Sequence, residues 1–248
     1  MSNAFLRPNW SAPKTIQSLI TTRSGGLSNQ GFESFNLALH VGDDPAVVIK
    51  NRELLQQELP SEPIWLNQVH GTQVCDVDEH KGGLIDADAA VTSQSNTVLT
   101  IMTADCLPVL LSDQYGSVIG AAHAGWRGLC AGILENTVAL MRQKLKDDSA
   151  QIVAYLGPAI GPTCFEVGQE VFDAFIGHDA LASEAFVPAE GAGKYMANLY
   201  ILAKQRLANV GVTDVKGGGD CTYSDLRFYS YRRNPVTGRM ATCIWKNT

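Results

Sequence analysis

The sequence predicts an α+β fold in a single domain, with mixed or antiparallel β-sheets flanked by a few helices. Three observations point there. Strand-like segments outnumber helical ones, and several follow one another with no helix between, which argues against a doubly wound parallel sheet. The 248 residues contain no repeat, charge block or Pro/Ser-rich linker that would divide them, so one domain over residues 1–248 is expected.

Taken in order, residues 1–13 show no periodic pattern and are expected to form a loosely ordered N-terminal segment. Residues 15–21 and 64–69 read as strands from their alternating or β-branched content, as do 89–92, 97–102, 117–122, 151–156 and 240–245. Asp44-Pro45 is an N-cap with proline at the first helical position, and Val48, Leu55 and Leu59 continue an apolar face. Leu129, Ile133, Leu134, Val138, Met141 and Leu145 recur at three- and four-residue steps, which predicts one long amphipathic helix. A shorter helix is predicted over 167–176. Another is expected over 195–210, stopped by Gly211.

Composition excludes several classes. Hydrophobic residues make up 45% and charged residues 18%, the balance of a globular chain rather than a disordered one. Nineteen Lys and Arg against 25 Asp and Glu give a net charge of −6, the wrong sign for a nucleic-acid or anionic-membrane surface. A pocket for a small anion needs only one or two local arginines and stays compatible. No window reaches the ~18–20 apolar residues of a membrane span. The start lacks the basic and apolar pattern of a secretion signal, so a cytoplasmic location is expected. The six cysteines (75, 106, 130, 164, 221 and 243) include no CxxC pair and are expected as reduced thiols. Mild charge without a heptad or an apolar stripe favours a monomer.

Common nucleotide and hydrolase motifs fail. The segment from Gly157 to Pro162 lacks GxGxxG spacing, and Gly191-Ala192-Gly193-Lys194 has Pro188 at the first P-loop glycine and Tyr195 in place of Ser/Thr. There is no GxSxG elbow, HExxH helix or zinc-deaminase signature. What survives is His70, Cys106 and His123, each where a strand-like run meets a Gly- or Pro-containing turn. Two imidazoles and a thiolate would make a three-ligand zinc site with an open position, able to bring the pKa of a bound water to roughly 7. The same residues suit copper. Without metal, a histidine could instead deprotonate Cys106 for nucleophilic attack. Separations of 36 and 17 residues match no local metal motif, and a buried cysteine with core histidines is the plain alternative.

At this point the motifs resemble the YfiH family, also described as laccase-domain or multicopper polyphenol oxidoreductase-like proteins. They are Thr21-Thr22-Arg23-Ser24-Gly25-Gly26, His40-Val41-Gly42-Asp43-Asp44, Asn67-Gln68-Val69-His70-Gly71, Thr103-Ala104-Asp105-Cys106, His123-Ala124-Gly125-Trp126-Arg127-Gly128, Asp220-Cys221-Thr222 and Phe228-Tyr229-Ser230-Tyr231-Arg232-Arg233. The resemblance runs in order over residues 21–233. It implies a cysteine-hydrolase-like fold and a metal site made by His70, Cys106 and His123. It further implies purine nucleoside phosphorylase activity on adenosine, inosine, guanosine and methylthioadenosine, with adenosine deaminase activity.

The same family carries two other activities: removal of misincorporated serine from a UDP-muramoyl peptidoglycan precursor, and copper-dependent polyphenol oxidation. Five histidines are too few for blue and trinuclear copper centres together, so a four-copper laccase is excluded by counting. For phosphorolysis, Arg23 and Arg127 are candidate phosphate holders, against surface arginines capping a turn or helix. His40 is a candidate substrate or supporting group, against a structural histidine. Asp105 is a candidate acid or imidazole orienter, against a turn-capping aspartate. A non-catalytic, metal-stabilised binding protein would instead close the site with a fourth ligand, for which Cys75 and Cys221 are best placed.

Overall fold

The computed structural model describes residues 4–248. The chain opens with strands β1 (Phe5–Leu6) and β2 (Ile16–Thr21), then helix α1 (Pro45–Gln56), β3 (Pro63–Ile64), β4 (Val74–Asp76), β5 (Ala89–Thr92) and β6 (Val98–Thr103). Next come β7 (Leu107–Asp113), β8 (Ile119–Ala124), helices α2 (Trp126–Ala131) and α3 (Ile133–Leu145), and β9 (Ile152–Leu156). The last part holds β10 (Glu166–Gly168), α4 (Gln169–His178), β11 (Phe186–Pro188), β12 (Lys194–Ala197), α5 (Leu199–Asn209), β13 (Asp214–Gly217) and β14 (Met240–Lys246). This is the mixed α+β architecture the sequence predicts, with few helices and several sheets.

Side-chain alternation sets the layers. One sheet has the order β1-β2-β14-β6-β3, a second β13-β9-β7-β8-β5-β4, and β10-β12-β11 form a small third sheet. In β6, Leu99 and Ile101 point to the space between the two large sheets, where Leu110 of β7, Ile119 and Ala121 of β8 and Ile244 of β14 meet them. Their neighbours Val98, Cys243 and Trp245 point outward and pack with Leu55 of α1. On the far side of the second sheet, Leu107, Val109 and Leu111 pack with Leu134, Val138 and Met141 of α3 and Leu202 of α5. The order is therefore helix, sheet, sheet, helices.

The chain crosses between the two large sheets at one end of this sandwich. The β6–β7 connection, Ala104-Asp105-Cys106, passes from the first sheet to the second in three residues, and the loop from β3 to β4 makes the same crossing at the same end. No helix among the described residues is long and apolar enough to cross a membrane.

Several expectations are corrected. Phe5 and Leu6 pair with Thr21 and Ile20, and Phe5 lies edge-on to Phe35 at 5.8 Å, so the N-terminal segment is tied into the sheet from residue 4 onward. Met1–Asn3 lie outside the described residues. Of the strand expected over 64–69, the regular ladder is confined to Pro63–Ile64, with one isolated bridge from Asn67 to Asp86. Beyond it the Gln68 side chain replaces a ladder partner, donating to the Met102 carbonyl and accepting from the Met102 N–H, both at 2.8 Å. Strand β7 escaped notice because it is buried on both faces and reads as a continuous apolar run starting at a proline. Pro108 lies opposite His123, whose N–H goes to the Asp88 carbonyl at 2.6 Å, so the proline owes β8 no donor; on its other side it accepts from Gly157 N at 2.9 Å, at the end of the β9 ladder.

The long helix is broken in two at Gly132, which adopts φ 106° and donates to the Gly128 carbonyl. The last two predicted helices begin later than expected, because residues 166–168 and 194–197 pair as β10 and β12. The Asn198 side chain caps α5, accepting from the N–H groups of Tyr200 and Ile201.

Asn51 of α1 is fully buried and holds the loops before the helix. Its Nδ2 donates to Ser28 Oγ and to the Asn36 carbonyl, both at 2.9 Å, and its Oδ1 accepts from Leu27 N at 2.8 Å. Removing it strands buried polar groups. Asn51→Ala is expected to lower unfolding free energy by about 2–4 kcal/mol in urea denaturation. A loss under about 0.5 kcal/mol would show that water replaces those bonds freely.

Candidate metal centre and active site

The three sequence-flagged residues meet where the chain crosses between the sheets. His70 sits on the β3–β4 crossing, Cys106 at the end of the β6–β7 crossing, and His123 near the end of β8. Their ligand atoms all lie within 4.8 Å of one another. Cys106 Sγ is 3.8 Å from His70 Nε2, and the two imidazoles stand edge to face with centroids 4.7 Å apart. His123 is buried, Cys106 half-buried and His70 exposed, so the cluster has a covered side and an open one.

Asp88, fully buried just ahead of β5, organises the cluster. Its Oδ1 accepts from His123 Nδ1 at 2.8 Å and from the His70 N–H at 2.9 Å. Its Oδ2 accepts from Gly71 N at 2.7 Å and Val69 N at 3.2 Å. One carboxylate thus fixes the tautomer of His123, leaving Nε2 as its free nitrogen, and pins the turn that presents His70. His70 needs this hold, because its backbone lies in the left-handed region at φ 61°.

Gly125 leaves room for the convergence. A Cβ there would lie 3.1 Å from both Cys106 Sγ and His70 Cδ2, and 3.5 Å from His123 Cε1.

The electrostatics favour a charged pair. Burial opposes ionisation of Cys106, but the His123 charge and the hydrogen bonds from His123 and His70 outweigh it and bring the thiol pKa down. Burial likewise opposes the His123 cation, and the Cys106 thiolate together with Asp88 overcomes it and raises the imidazole pKa. Asp88 is buried too, yet the bonds from His123, Gly71 and His70 hold its carboxyl below the usual range. Two imidazoles and a readily formed thiolate are the donor set of a borderline-soft transition metal, with the fourth side left open. Among the described residues no fourth His, Cys, Asp or Glu joins the group. Cys221, one fourth ligand considered from the sequence, accepts from Gly161 N at 3.2 Å instead.

A cavity of about 450 Å³ opens over the cluster, a volume suited to a small organic ligand. His40 and Asp105 are among its lining residues. Both Asp105 carboxylate oxygens are committed, Oδ1 to Thr222 Oγ1 at 2.6 Å and Oδ2 to Arg232 N at 2.7 Å, so this residue holds the crossing in shape. Arg23 and Arg127 do not line the cavity. Arg23 donates from Nε to the Glu33 carbonyl at 2.9 Å, whereas Arg127 is exposed and lies over Trp126.

The sequence reading assigned no role to Asp88, Gln68, Phe165, Arg232 and Arg239, of which all but Asp88 line the cavity together with Tyr231. Asp88 carried a usable signal: it is an acidic residue directly abutting the apolar strand Ala89–Thr92, where a carboxylate must find partners.

Two outcomes test the geometry. Asp88→Asn replaces an acceptor oxygen with a donor amide facing N–H groups, and metal affinity measured by chelator competition is expected to fall about 10–100-fold. Gly125→Ala pushes the three ligands apart and is expected to weaken the same affinity while thermal stability stays within a few degrees. Unchanged affinity in both would mean that the cluster is not a metal site.

The family described as multi-copper polyphenol oxidoreductase laccase matches residues 17–247. A Pseudomonas aeruginosa protein named purine nucleoside phosphorylase is 50% identical over 244 residues, 98% of each chain. The Escherichia coli protein named purine nucleoside phosphorylase YfiH is 48% identical over 241 residues, 96% of this chain and 97% of that one. The crystal structure of a Neisseria meningitidis protein superposes with a TM-score of 0.92 at 47% identity, covering 99% of this chain and all of the other. That of Bacillus licheniformis YfiH gives a TM-score of 0.86 at 30% identity over 94% of this chain and 93% of that one. With a family match over nearly the whole chain and relatives at half identity, the protein belongs to the YfiH family of laccase-like polyphenol oxidoreductase domains.

Proposed function

We propose that the protein is a zinc-dependent purine nucleoside phosphorylase acting on adenosine, inosine, guanosine and methylthioadenosine, with adenosine deaminase activity at the same site. The observation that carries this reading is the three-donor cluster whose open side faces a cavity of about 450 Å³. The names of the relatives point the same way. His70, Cys106 and His123 would hold the metal, which would supply Lewis acidity at that open side. Copper fits the same donors and would account for weak phenol oxidation as a side activity. We place the protein in the cytoplasm as a monomer.

This chain's own residues have defined tasks. Asp88 holds His123 in one tautomer and keeps its Nε2 directed at the site. Phe165, Ile160 and Met102 give the cavity apolar wall against which a purine can pack. In phosphorolysis a phosphate oxygen bonds to the ribose C1′ while the C1′–N9 bond breaks. The bonding pair goes to the purine, which takes up a proton, and ribose 1-phosphate leaves.

A second reading has its own observation. Cys106, His123 and Asp88 follow the order of nucleophile, base and orienting carboxylate, and the cysteine is biased toward the thiolate. That arrangement suits a thiolate attacking an amide carbonyl, as removal of a misplaced serine from a UDP-muramoyl precursor would require.

Metal-defined protein incubated with adenosine and inorganic phosphate is expected to release adenine and ribose 1-phosphate in a phosphate-dependent manner, resolved by chromatography. Inosine marks deamination. Release is expected to be abolished in Cys106→Ala and His123→Ala. Serine release from the precursor without nucleoside turnover would move the assignment to amide hydrolysis, and silence on both substrates would leave a binding protein.

A further inference from the structure

With Arg23 and Arg127 away from the cavity, the basic side chains that line it outside the three-donor cluster are His40, Arg232 and Arg239. Arg232 is largely spent. It donates from Nη2 to the Glu166 carbonyl at 3.1 Å and lies over the ring of Phe165. Arg239 differs. Its Nη1 donates to the Thr237 and Gly238 carbonyls at 2.9 and 3.1 Å, which fixes one edge of the guanidinium on its own turn. No carboxylate pairs with it, and its Nε and Nη2 make no hydrogen bond among the described residues. Burial weakens its charged form, and the negative groups it feels are Cys106 and Asp105, across the cavity. A half-buried guanidinium with two donors facing the cavity and no directly paired carboxylate is placed to receive a ligand that brings negative charge.

His40 belongs to the same wall. Burial lowers its pKa, and the neighbouring charges of Arg239 and Arg52 lower it further, so His40 is held toward its neutral form and offers a ring nitrogen beside the Arg239 charge. One buried side chain sets both residues. Asn36 Oδ1 accepts from Arg239 N at 3.0 Å and from Ala38 N at 3.0 Å. Its Nδ2 donates to the Ala38 carbonyl at 3.1 Å and to Asp43 Oδ2 at 2.9 Å, closing the loop that carries His40. The turn of Arg239 and the loop of His40 are therefore locked to each other before any ligand arrives, the arrangement expected of a preorganised site.

We propose that Arg239, with His40, forms the subsite for a phosphate oxyanion, facing the His70–Cys106–His123 cluster across the cavity. The proposal rests on the phosphorylase reading and deepens it: inorganic phosphate sits on the planar fork of Arg239, and its remaining oxygen attacks C1′ with the electron flow given above. The same fork would take a phosphate group belonging to a larger substrate, and the two sources can be told apart.

The test is steady-state phosphorolysis at varied phosphate concentration in wild type, Arg239→Gln, Arg239→Lys and His40→Gln, with phosphate binding to metal-loaded protein followed by calorimetry. Arg239→Gln is expected to raise the phosphate KM by about 10–100-fold, with the nucleoside KM changed by less than about twofold. Lysine should recover part of the loss, as a charge without the fork. His40→Gln should move the phosphate KM in the same direction by less, and it keeps the proposal testable if the Arg239 variants misfold. An unchanged phosphate KM in Arg239→Gln overturns the subsite and leaves the phosphorylase reading standing. Phosphate binding that is lost in Arg239→Gln, in a protein that phosphorolyses no nucleoside, keeps the subsite and removes that reading. Binding of a nucleotide sugar but not of free phosphate, sensitive to Arg239, overturns inorganic phosphate as the occupant.

Discussion

The Asp88 carboxylate is the interaction on which the site depends. It lies fully buried at the start of β5 and takes four hydrogen bonds, three from main-chain N–H groups of the Val69-His70-Gly71 turn and one from His123. A charge in that position is tolerable only because every donor points at it. The converse matters as much: the turn from β3 to β4 has no regular ladder of its own, and the Asp88 carboxylate accepts the main-chain N–H groups of Val69, His70 and Gly71 that set the left-handed His70 beside His123. First-row metals or thiolate chemistry are alternatives built on this one arrangement.

The family is described as laccase-like and its relatives are named phosphorylases, and this chain offers one candidate three-donor cluster for either. Five histidines cannot supply several copper centres, and three of them, His40, His70 and His123, already line the cavity. His80 and His178 lie exposed elsewhere. A single site with two imidazoles and a thiolate would suit copper redox or zinc Lewis-acid chemistry alike, so the two descriptions need not imply two sites.

The sequence made parts of this legible for identifiable reasons. His70, Cys106 and His123 stood out because each interrupts an apolar run at a turn. The Asp44-Pro45 start of α1 and strand β5 were readable from local chemistry alone. The β6–β7 crossing was not, because a fully buried strand such as Leu107–Asp113 has no alternation to read. The continuous helix was misjudged because apolar spacing persists through Gly132 while the backbone turns left-handed there. Asp88 and Arg239 were missed for a common reason: each takes its meaning from partners far away in sequence, Asp88 from residues 18 and 35 positions off and Arg239 from an asparagine 203 positions away.

The passage of the chain between the sheets has a thermodynamic consequence. His70 and Cys106 ride on segments that leave the first sheet, and His123 belongs to the second, so their meeting exists only while the two layers stay docked through Leu99, Ile101, Leu110 and Ile244. An ion held by all three therefore binds the docked state and not the separated one, and by linkage it adds its binding free energy to the cohesion of the sandwich. Such an ion would act as a clasp across the layers.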